Sequence, residues 1–469
     1  MLYLYQQLAS QLAEQITMGL YQTGDRLPGV RKFSQQHSVS TATSVAVYRK
    51  LEDDGLIEAR PRSGFYVRTQ AAPNSDEPEI SSPRSRPTPV TGQALALQLV
   101  KASNEPGMIQ LGAAVPAPAF LPTRQVEKAM AKANRQQRQR NAGYEFPPGV
   151  PELRRQISRR MTEIGCKVHA DEIVITNGCQ EALTLALRAT TSPGDIVAIE
   201  SPTFYGLLQV IDSLGLKALE IPTHPREGIS VPALQLAIEQ WPVKACILVA
   251  NYSNPLGYRM SDSQKNRLVE LLKSFKIPLI EDDVYGDLGF SQRRPSVCKS
   301  YDNHGEVLHC SSISKTLSPG LRVGWIAPGK HQQQVEYLKF VTNLATPTLP
   351  QLAVAELMEN GQYERHLRKI RSEYARAVER MTKAVERLFP EGTRITRPQG
   401  GFVIWLELPG KNDSFQMAQK LLSKGISIAP GAIFSATGKY QNFLRLSCAC
   451  EWDDRIERAL ATIAQHCNQ

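Results

Sequence analysis

The sequence predicts a multidomain chain in which a small α+β domain precedes a much larger α/β domain. Three observations carry this expectation. Residues 71–93 hold five prolines and four serines and no aromatic residue, a composition that cannot bury enough apolar surface to fold by itself. Before that stretch, apolar residues recur at helical spacing and then alternate in two short runs. After it, from residue 96 onward, strand-like apolar runs alternate with helical patterns, as in a mostly parallel sheet with helices on both faces. The expected divisions are 1–70, a flexible linker at 71–95, and 96–469. Within the last, a large lobe is placed at about 126–335 and a small lobe at about 336–469, joined by the N-terminal arm.

Composition narrows the classes. Hydrophobic residues make up 42% and charged residues 21% of the 469, which excludes wholesale disorder. No run of about 18 apolar residues suits a spanning helix, and Met1–Gln7 lacks the basic and cleavable apolar segments of a secretory signal. A cytoplasmic protein without a membrane partner is expected. The net charge of +10 suits an anionic partner but fits many enzymes as well. The eight cysteines form no C-x-x-C pair, so reduced, buried thiols are expected and no metal.

In the small domain, Tyr5, Leu8, Leu12 and Ile16 mark one helix, ended by Gly19 and the Thr23-Gly24-Asp25 turn. Pro28 opens a short second helix through Gln36. Ser40 is placed to cap a third, Thr41 to Asp54. Leu56–Ala59 and Gly64–Val67 alternate about the turn Arg60-Pro61-Arg62-Ser63. Three helices and a hairpin make a winged helix-turn-helix. Major-groove docking of the third helix would carry Thr41, Thr43 and Ser44 toward the DNA, with Arg31 and Arg49 on phosphates and Arg62 at the wing tip. A small helical domain used for protein contacts is the alternative, and charge does not decide, since residues 1–70 carry eight basic and six acidic side chains.

In the large domain, Glu172–Thr176, Asp195–Ile199, Ala245–Val249, Pro278–Glu281 and Val307–Cys310 read as buried strands. The chemistry of such a sheet sits at strand C-terminal ends. Asn177-Gly178-Cys179-Gln180 follows a strand and opens a helix, offering backbone N–H groups to a phosphate, or serving as an ordinary turn. Asn254 stands in Asn254-Pro255-Leu256-Gly257, a possible phenolate ligand or a plain turn. Glu281-Asp282-Asp283 ends an apolar run, where consecutive carboxylates are expensive unless a cation meets them. Ser312, Ser314 and Lys315, with Arg322 seven residues on, suit a phosphorylated ligand and an amine nucleophile. Arg445 lies in an alternating strand, as a carboxylate clamp or a surface residue.

The patterns G-D-R-L-P-x-x-R, V-S-x-x-T, L-E-x-x-G-L-I and R-x-G-x-x-V resemble the GntR type of bacterial DNA-binding domain, with Thr41 where many members carry arginine. The order of phosphate turn, asparagine, Asp-x-x-Tyr, Ser-x-Ser-Lys and late arginine resembles the fold-type I aminotransferases, which depend on pyridoxal 5′-phosphate (PLP). That resemblance implies an α/β aminotransferase fold in which Lys315 forms a Schiff base with the cofactor and Asp282 pairs with its ring nitrogen. It places Asn254 and Tyr285 on the phenolate oxygen. Gly178, Cys179, Gln180, Ser312, Ser314 and Arg322 surround the phosphate, Phe204 stacks on the ring, and Arg445 takes a substrate carboxylate. Tyr144 matches a tyrosine that reaches the neighbouring subunit's phosphate, implying a homodimer with shared active sites.

The fusion of the two is similar to MocR-type regulators of the GntR family. It implies a transcription factor that binds operator DNA and senses a small amine, amino acid or cofactor vitamer. An active aminotransferase with an added DNA-binding head remains the competing reading, and a large domain that only dimerises is the third.

Overall fold

The computed structural model describes residues 4–17, 20–22, 24–53, 56–60, 63–67, 75–83, 86–91, 97, 101, 105, 107–291 and 293–467. These form two compact units, one up to Asn74 and one from Ser75 to the C-terminus.

In the first unit, α1 (Leu4–Thr17), α2 (Val30–Gln36) and α3 (Thr41–Asp53) precede an antiparallel hairpin of β1 (Ile57–Arg60) and β2 (Gly64–Val67). Ala9 and Leu12 of α1 meet Phe33 of α2 and Val47, Tyr48 and Leu51 of α3 in one core with Ile57 and Val67 of the wing. Tyr48 organises it: its ring stacks on Phe65 at 4.6 Å and meets Phe33 edge-on at 5.2 Å. Its hydroxyl donates to the Pro28 carbonyl, so the one polar atom of this buried ring is satisfied. As the sequence predicts, Ser40 caps α3, its hydroxyl accepting from the Thr43 N–H at 3.0 Å. The chain before α2 adds a third line to the wing, with Leu27 N–H bonded to the Phe65 carbonyl at 2.9 Å.

The second unit contains β3 (Thr88–Pro89), β4 (Ile109–Gln110), β5 (Val174–Thr176), β6 (Ile196–Ser201), β7 (Lys217–His224), β8 (Gly228–Ile229), β9 (Val243–Leu248), β10 (Leu279–Asp282), β11 (Val307–Ser312), β12 (Gly324–Ala327), β13 (Arg394–Ile395), β14 (Val403–Glu407), β15 (Ile426–Ser427), β16 (Ala429–Pro430) and β17 (Phe443–Ser447). The main sheet runs β3-β7-β6-β9-β10-β11-β12-β5, with β8 beside β7. Strands β7, β6, β9, β10 and β11 are parallel, while β12 and β3 run against their neighbours. The central strands are buried along their length, because helices cover both faces. A smaller sheet, β13-β14-β17-β16, packs with the helices Ser414–Leu422 and Asp454–His466 around its own core. Among the described residues no helix is long and apolar enough to cross a membrane.

Two expectations are corrected. The stretch 71–95 is not a free linker throughout: from Ser75 it belongs to the large unit, with β3 paired to β7 and Ile395 N–H bonded to the Asp76 carbonyl at 2.8 Å. Its composition prevents folding alone, but backbone and carboxylate hydrogen bonds to a preformed surface need little apolar burial. The lobe boundary near residue 336 is also misplaced. Val335 and Leu338 lie in a large-lobe core, as do Leu352 to Met358 and the first turns of the helix Gln362–Leu388. The small-lobe core takes over at Val378 of that helix, and Leu111 of the N-terminal arm joins it.

Candidate cofactor and effector site

Strand β5 delivers the chain to Asn177 and then to Gly178, whose φ of 87° belongs to the left-handed region that glycine tolerates. The helix Cys179–Thr190 starts there, and no side chain caps it, so its first N–H groups point outward as an anion cradle. Arg322, itself left-handed at φ 52°, reaches the same turn: its Nη2 donates to the Asn177 carbonyl at 2.8 Å and its Nη1 to the Pro319 carbonyl at 3.2 Å. A β-carbon on Gly178 would strike that guanidinium, and one on Gly324 of β12 would stand 2.6 Å from the Gly178 carbonyl carbon. Both glycines therefore allow close approach. Ser312, at the end of β11, and Ser314 are nearly buried, with Ser314 N–H donating to the Ser312 hydroxyl at 3.3 Å. Gln180 donates to the Gly206 carbonyl at 2.8 Å, which ties the Phe204 loop to the helix start.

The three carboxylates ending β10 are all buried but meet different partners. Glu281 accepts from the backbone N–H groups of Cys298 and Lys299 at 2.6 and 3.1 Å. Asp283 meets Arg294 at 2.5 Å, His309 at 3.3 Å and Asn251 at 3.0 Å. Burial by itself would raise its pKa, and the Arg294 and His309 partners reverse that, holding it below the usual carboxylate range. Asp282 receives only the Val284 N–H at 3.1 Å and the Cys179 thiol at 3.4 Å, both on Oδ1. No lysine or arginine among the described residues pairs with it, and burial pushes its pKa up to about 6. A buried carboxylate with a free oxygen and no cation is a costly arrangement that a protonated ring nitrogen would relieve.

Lys315 follows β11 and donates from Nζ to the Ala114 carbonyl at 2.7 Å. Burial lowers its pKa to about 8, with Arg445 and Arg322 adding repulsion and Asp282 opposing them. Arg445, on β17, is wholly buried. Its Nη1 donates to Asn254 Oδ1 at 3.0 Å and its Nη2 to the Gly112 carbonyl, and burial lowers its pKa while the neighbouring Tyr205 and Tyr285 oppose that. Its Nε has no protein partner. Asn254 also donates to the Tyr285 hydroxyl at 3.5 Å, and burial raises the pKa of that tyrosine. The arm segment Gly112–Ala114 thus lies between the lysine of one lobe and the arginine of the other.

The structure joins Cys179, Asp282, Lys315 and Arg445 with Asn254, Tyr285 and Arg322 in one electrostatic neighbourhood. Tyr144 stands apart, 71% exposed and stacked on Phe146. In the head, Arg31, Thr41 and Arg49 are exposed and Thr43 is half-buried, its hydroxyl engaged with Ser40. Ser44 corrects the sequence reading: it is fully buried, its hydroxyl turned back to the Ser40 carbonyl at 3.2 Å, so it does not face DNA. Arg62 lies outside the described residues. Sequence reasoning missed Tyr205, the Gly112 and Ala114 carbonyls and the Cys179 thiol. Contacts between elements so distant in the chain leave no local pattern to read.

This donor set fits pyridoxal 5′-phosphate: an uncapped helix start with two serines and an arginine for the phosphate, a lysine amine for the aldehyde, and an unpaired buried aspartate for the ring nitrogen. The comparisons agree. Residues 4–67 match the model for bacterial regulatory proteins of the gntR family, and residues 108–463 match that for aminotransferase class I and II. The chain is 41% identical over 98% of both chains to the HTH-type transcriptional regulator YjiR of Escherichia coli, and 40% identical, with the same coverage, to YdcR of that organism. A kynurenine aminotransferase from Pyrococcus horikoshii, solved with PMP, superposes with a TM-score of 0.74 at 28% identity, covering 81% of this chain and 95% of its own.

Proposed function

Because the chain belongs to the GntR-family, MocR-like regulators that carry an aminotransferase class I and II domain, we propose that it is a homodimeric transcriptional regulator whose PLP is held on Lys315 and whose DNA binding answers to a small amine, amino acid or vitamer. The observation that carries this reading is Asp282, buried and, among the described residues, without a cationic partner and with one oxygen uncommitted. A domain kept only for dimerisation gains nothing from such a group. PLP bound there supplies an aldehyde that captures amines and a ring that withdraws electrons.

The chain's own residues do the rest. Lys315, its pKa lowered to about 8 by burial and by Arg445 and Arg322, presents a substantial neutral, nucleophilic fraction at neutral to mildly alkaline pH. The Val284 N–H and the Cys179 thiol fix Oδ1 of Asp282, so with the cofactor bound the remaining carboxylate oxygen would be the group to hold a proton on the ring nitrogen. Arg445 takes an effector carboxylate in bidentate geometry once its Gly112 and Asn254 contacts yield. Tyr144, Phe146 and Phe340 form an exposed aromatic row, a surface that a second copy would cover.

Turnover as an aminotransferase is the second reading, favoured by the depressed Lys315 amine and by Arg445 as a buried guanidinium for a substrate carboxylate. Steady multiple turnover with a common amino donor would establish it. For the regulatory reading, the full chain should bind its own promoter region with an affinity that falls steeply with salt, and Arg31→Ala should weaken binding and reduce the salt slope by about one. Affinity unmoved by salt and by the substitution would overturn the DNA role.

A further inference from the structure

Residues 75–83 cross from one lobe to the other, and each lobe holds them by a separate set of bonds. On the small-lobe side, Arg397 Nη2 donates to the Ser75 carbonyl and hydroxyl at 3.1 and 2.9 Å while bound to Glu386 at 2.8 Å. The Arg397 N–H donates to Glu77 Oε1 at 2.9 Å, Ile395 N–H to the Asp76 carbonyl at 2.8 Å, and Arg394 pairs with Glu79 at 3.2 Å. On the large-lobe side, the other Glu77 oxygen pairs with Arg226. Ser81 N–H donates to the Thr223 carbonyl at 3.3 Å, and Thr223 N–H returns a bond to the Ser81 hydroxyl at 2.8 Å. Glu77 therefore bridges the lobes with its two oxygens.

Both anchors lead to the cofactor site. Thr223 Oγ1 accepts from Ser201 N–H at 3.1 Å, and Ser201 begins the turn that carries Phe204. Arg394 and Ile395 form β13, which pairs with β14, which pairs with β17 and Arg445. Under the strap lies a cavity of about 180 Å³ lined by Glu79, Ser82, Pro202, Thr223, Trp405 and Tyr440, so the crossing is not packed solid. In sequence, only residues 68–74 separate the strap from Val67, the last residue of the wing.

We infer that this strap converts the spacing of the two lobes into the length of chain that tethers the DNA-binding head. The inference rests on the proposed site, because a ligand held by Lys315 in one lobe and Arg445 in the other draws on both anchors at once. With the strap seated, seven residues run between head and anchor; with 75–83 released, sixteen do. At about 3.1 Å per extended residue the maximum span rises from roughly 22 to roughly 50 Å. That change alters the effective concentration of one head near a DNA half-site when its partner is bound.

Hydrogen–deuterium exchange on the full chain tests this, using PLP alone and then N-(5′-phosphopyridoxyl)-L-alanine, a stable joined cofactor and amino acid. The adduct should change exchange across 75–83 by about tenfold relative to PLP alone, and change affinity for promoter DNA by a similar factor. Arg397→Ala and the milder Glu77→Gln should raise exchange without adduct and remove its effect on DNA, while the visible band of bound PLP persists. If both ligands bind and exchange at 75–83 stays unchanged in wild type, the strap inference is overturned and the site stands. If neither PLP nor adduct binds, the reading of the site fails and the strap falls with it.

Discussion

Asp282 carries an electrostatic cost that the protein bears whenever the ring nitrogen is missing. Its folded pKa of about 6 lies above the usual aspartate value of 3.8 because burial disfavours the charge. Between those values the folded state binds the extra proton, so its stability falls as pH rises from about 4 to about 6, and the penalty is complete above that. Two pKa units correspond to on the order of 3 kcal/mol. Cofactor-free Asp282→Asn should therefore unfold at higher temperature than wild type at pH 8, and match it near pH 4. A variant no more stable at pH 8 would remove the basis for calling Asp282 unpaired. The sequence made Asp282, Lys315 and Arg322 legible because motif order fixes them at strand ends. Only the Asp-x-x-Tyr resemblance singled out Asp282 from Glu281 and Asp283, since the partners that distinguish the three physically, Cys179, Arg294 and the Cys298 N–H, converge only in the fold.

At the scale of elements, the head was readable because its signals are local: a cap at Ser40, apolar residues at helical spacing and an alternating hairpin. Strand β5 came out shorter than expected, because Ala170–Glu172 form a 3-10 turn capped by His169 and the strand begins only at Val174. The helix Thr348–Glu359 packs into the large-lobe core, and the lobe boundary was misplaced because apolar periodicity does not say which body buries a helix. Ser44 was misassigned because a hydroxyl one turn after a cap can bond back to the cap carbonyl as readily as face outward. The central element contact of the head is Tyr48 between Phe33 and Phe65. Tyr48→Ala removes a buried aromatic ring at a cost of about 3–5 kcal/mol, a large share of the stability of so small a unit. Calorimetry should show the head's transition moving down by many degrees while the large domain's transition stays in place. A common shift of both would contradict the division into two units.

At the scale of the whole molecule, the exposed row of Tyr144, Phe146 and Phe340 is the surface that most needs a partner. Phe340→Glu should shift sedimentation from dimer toward monomer at micromolar concentration and weaken PLP retention, because the proposed dimer shares Tyr144 between sites. A dimer unmoved by that charge would place the interface elsewhere. The account as a whole joins a DNA-binding head to a cofactor-bearing sensor, and its central claim is that Lys315 holds that cofactor. The visible absorption spectrum of the full chain incubated with pyridoxal 5′-phosphate and freed of excess tests it most directly. The account predicts a protein-bound visible band that responds to added amines and is lost in Lys315→Ala. No band in the wild type, or the same band in Lys315→Ala, would contradict it.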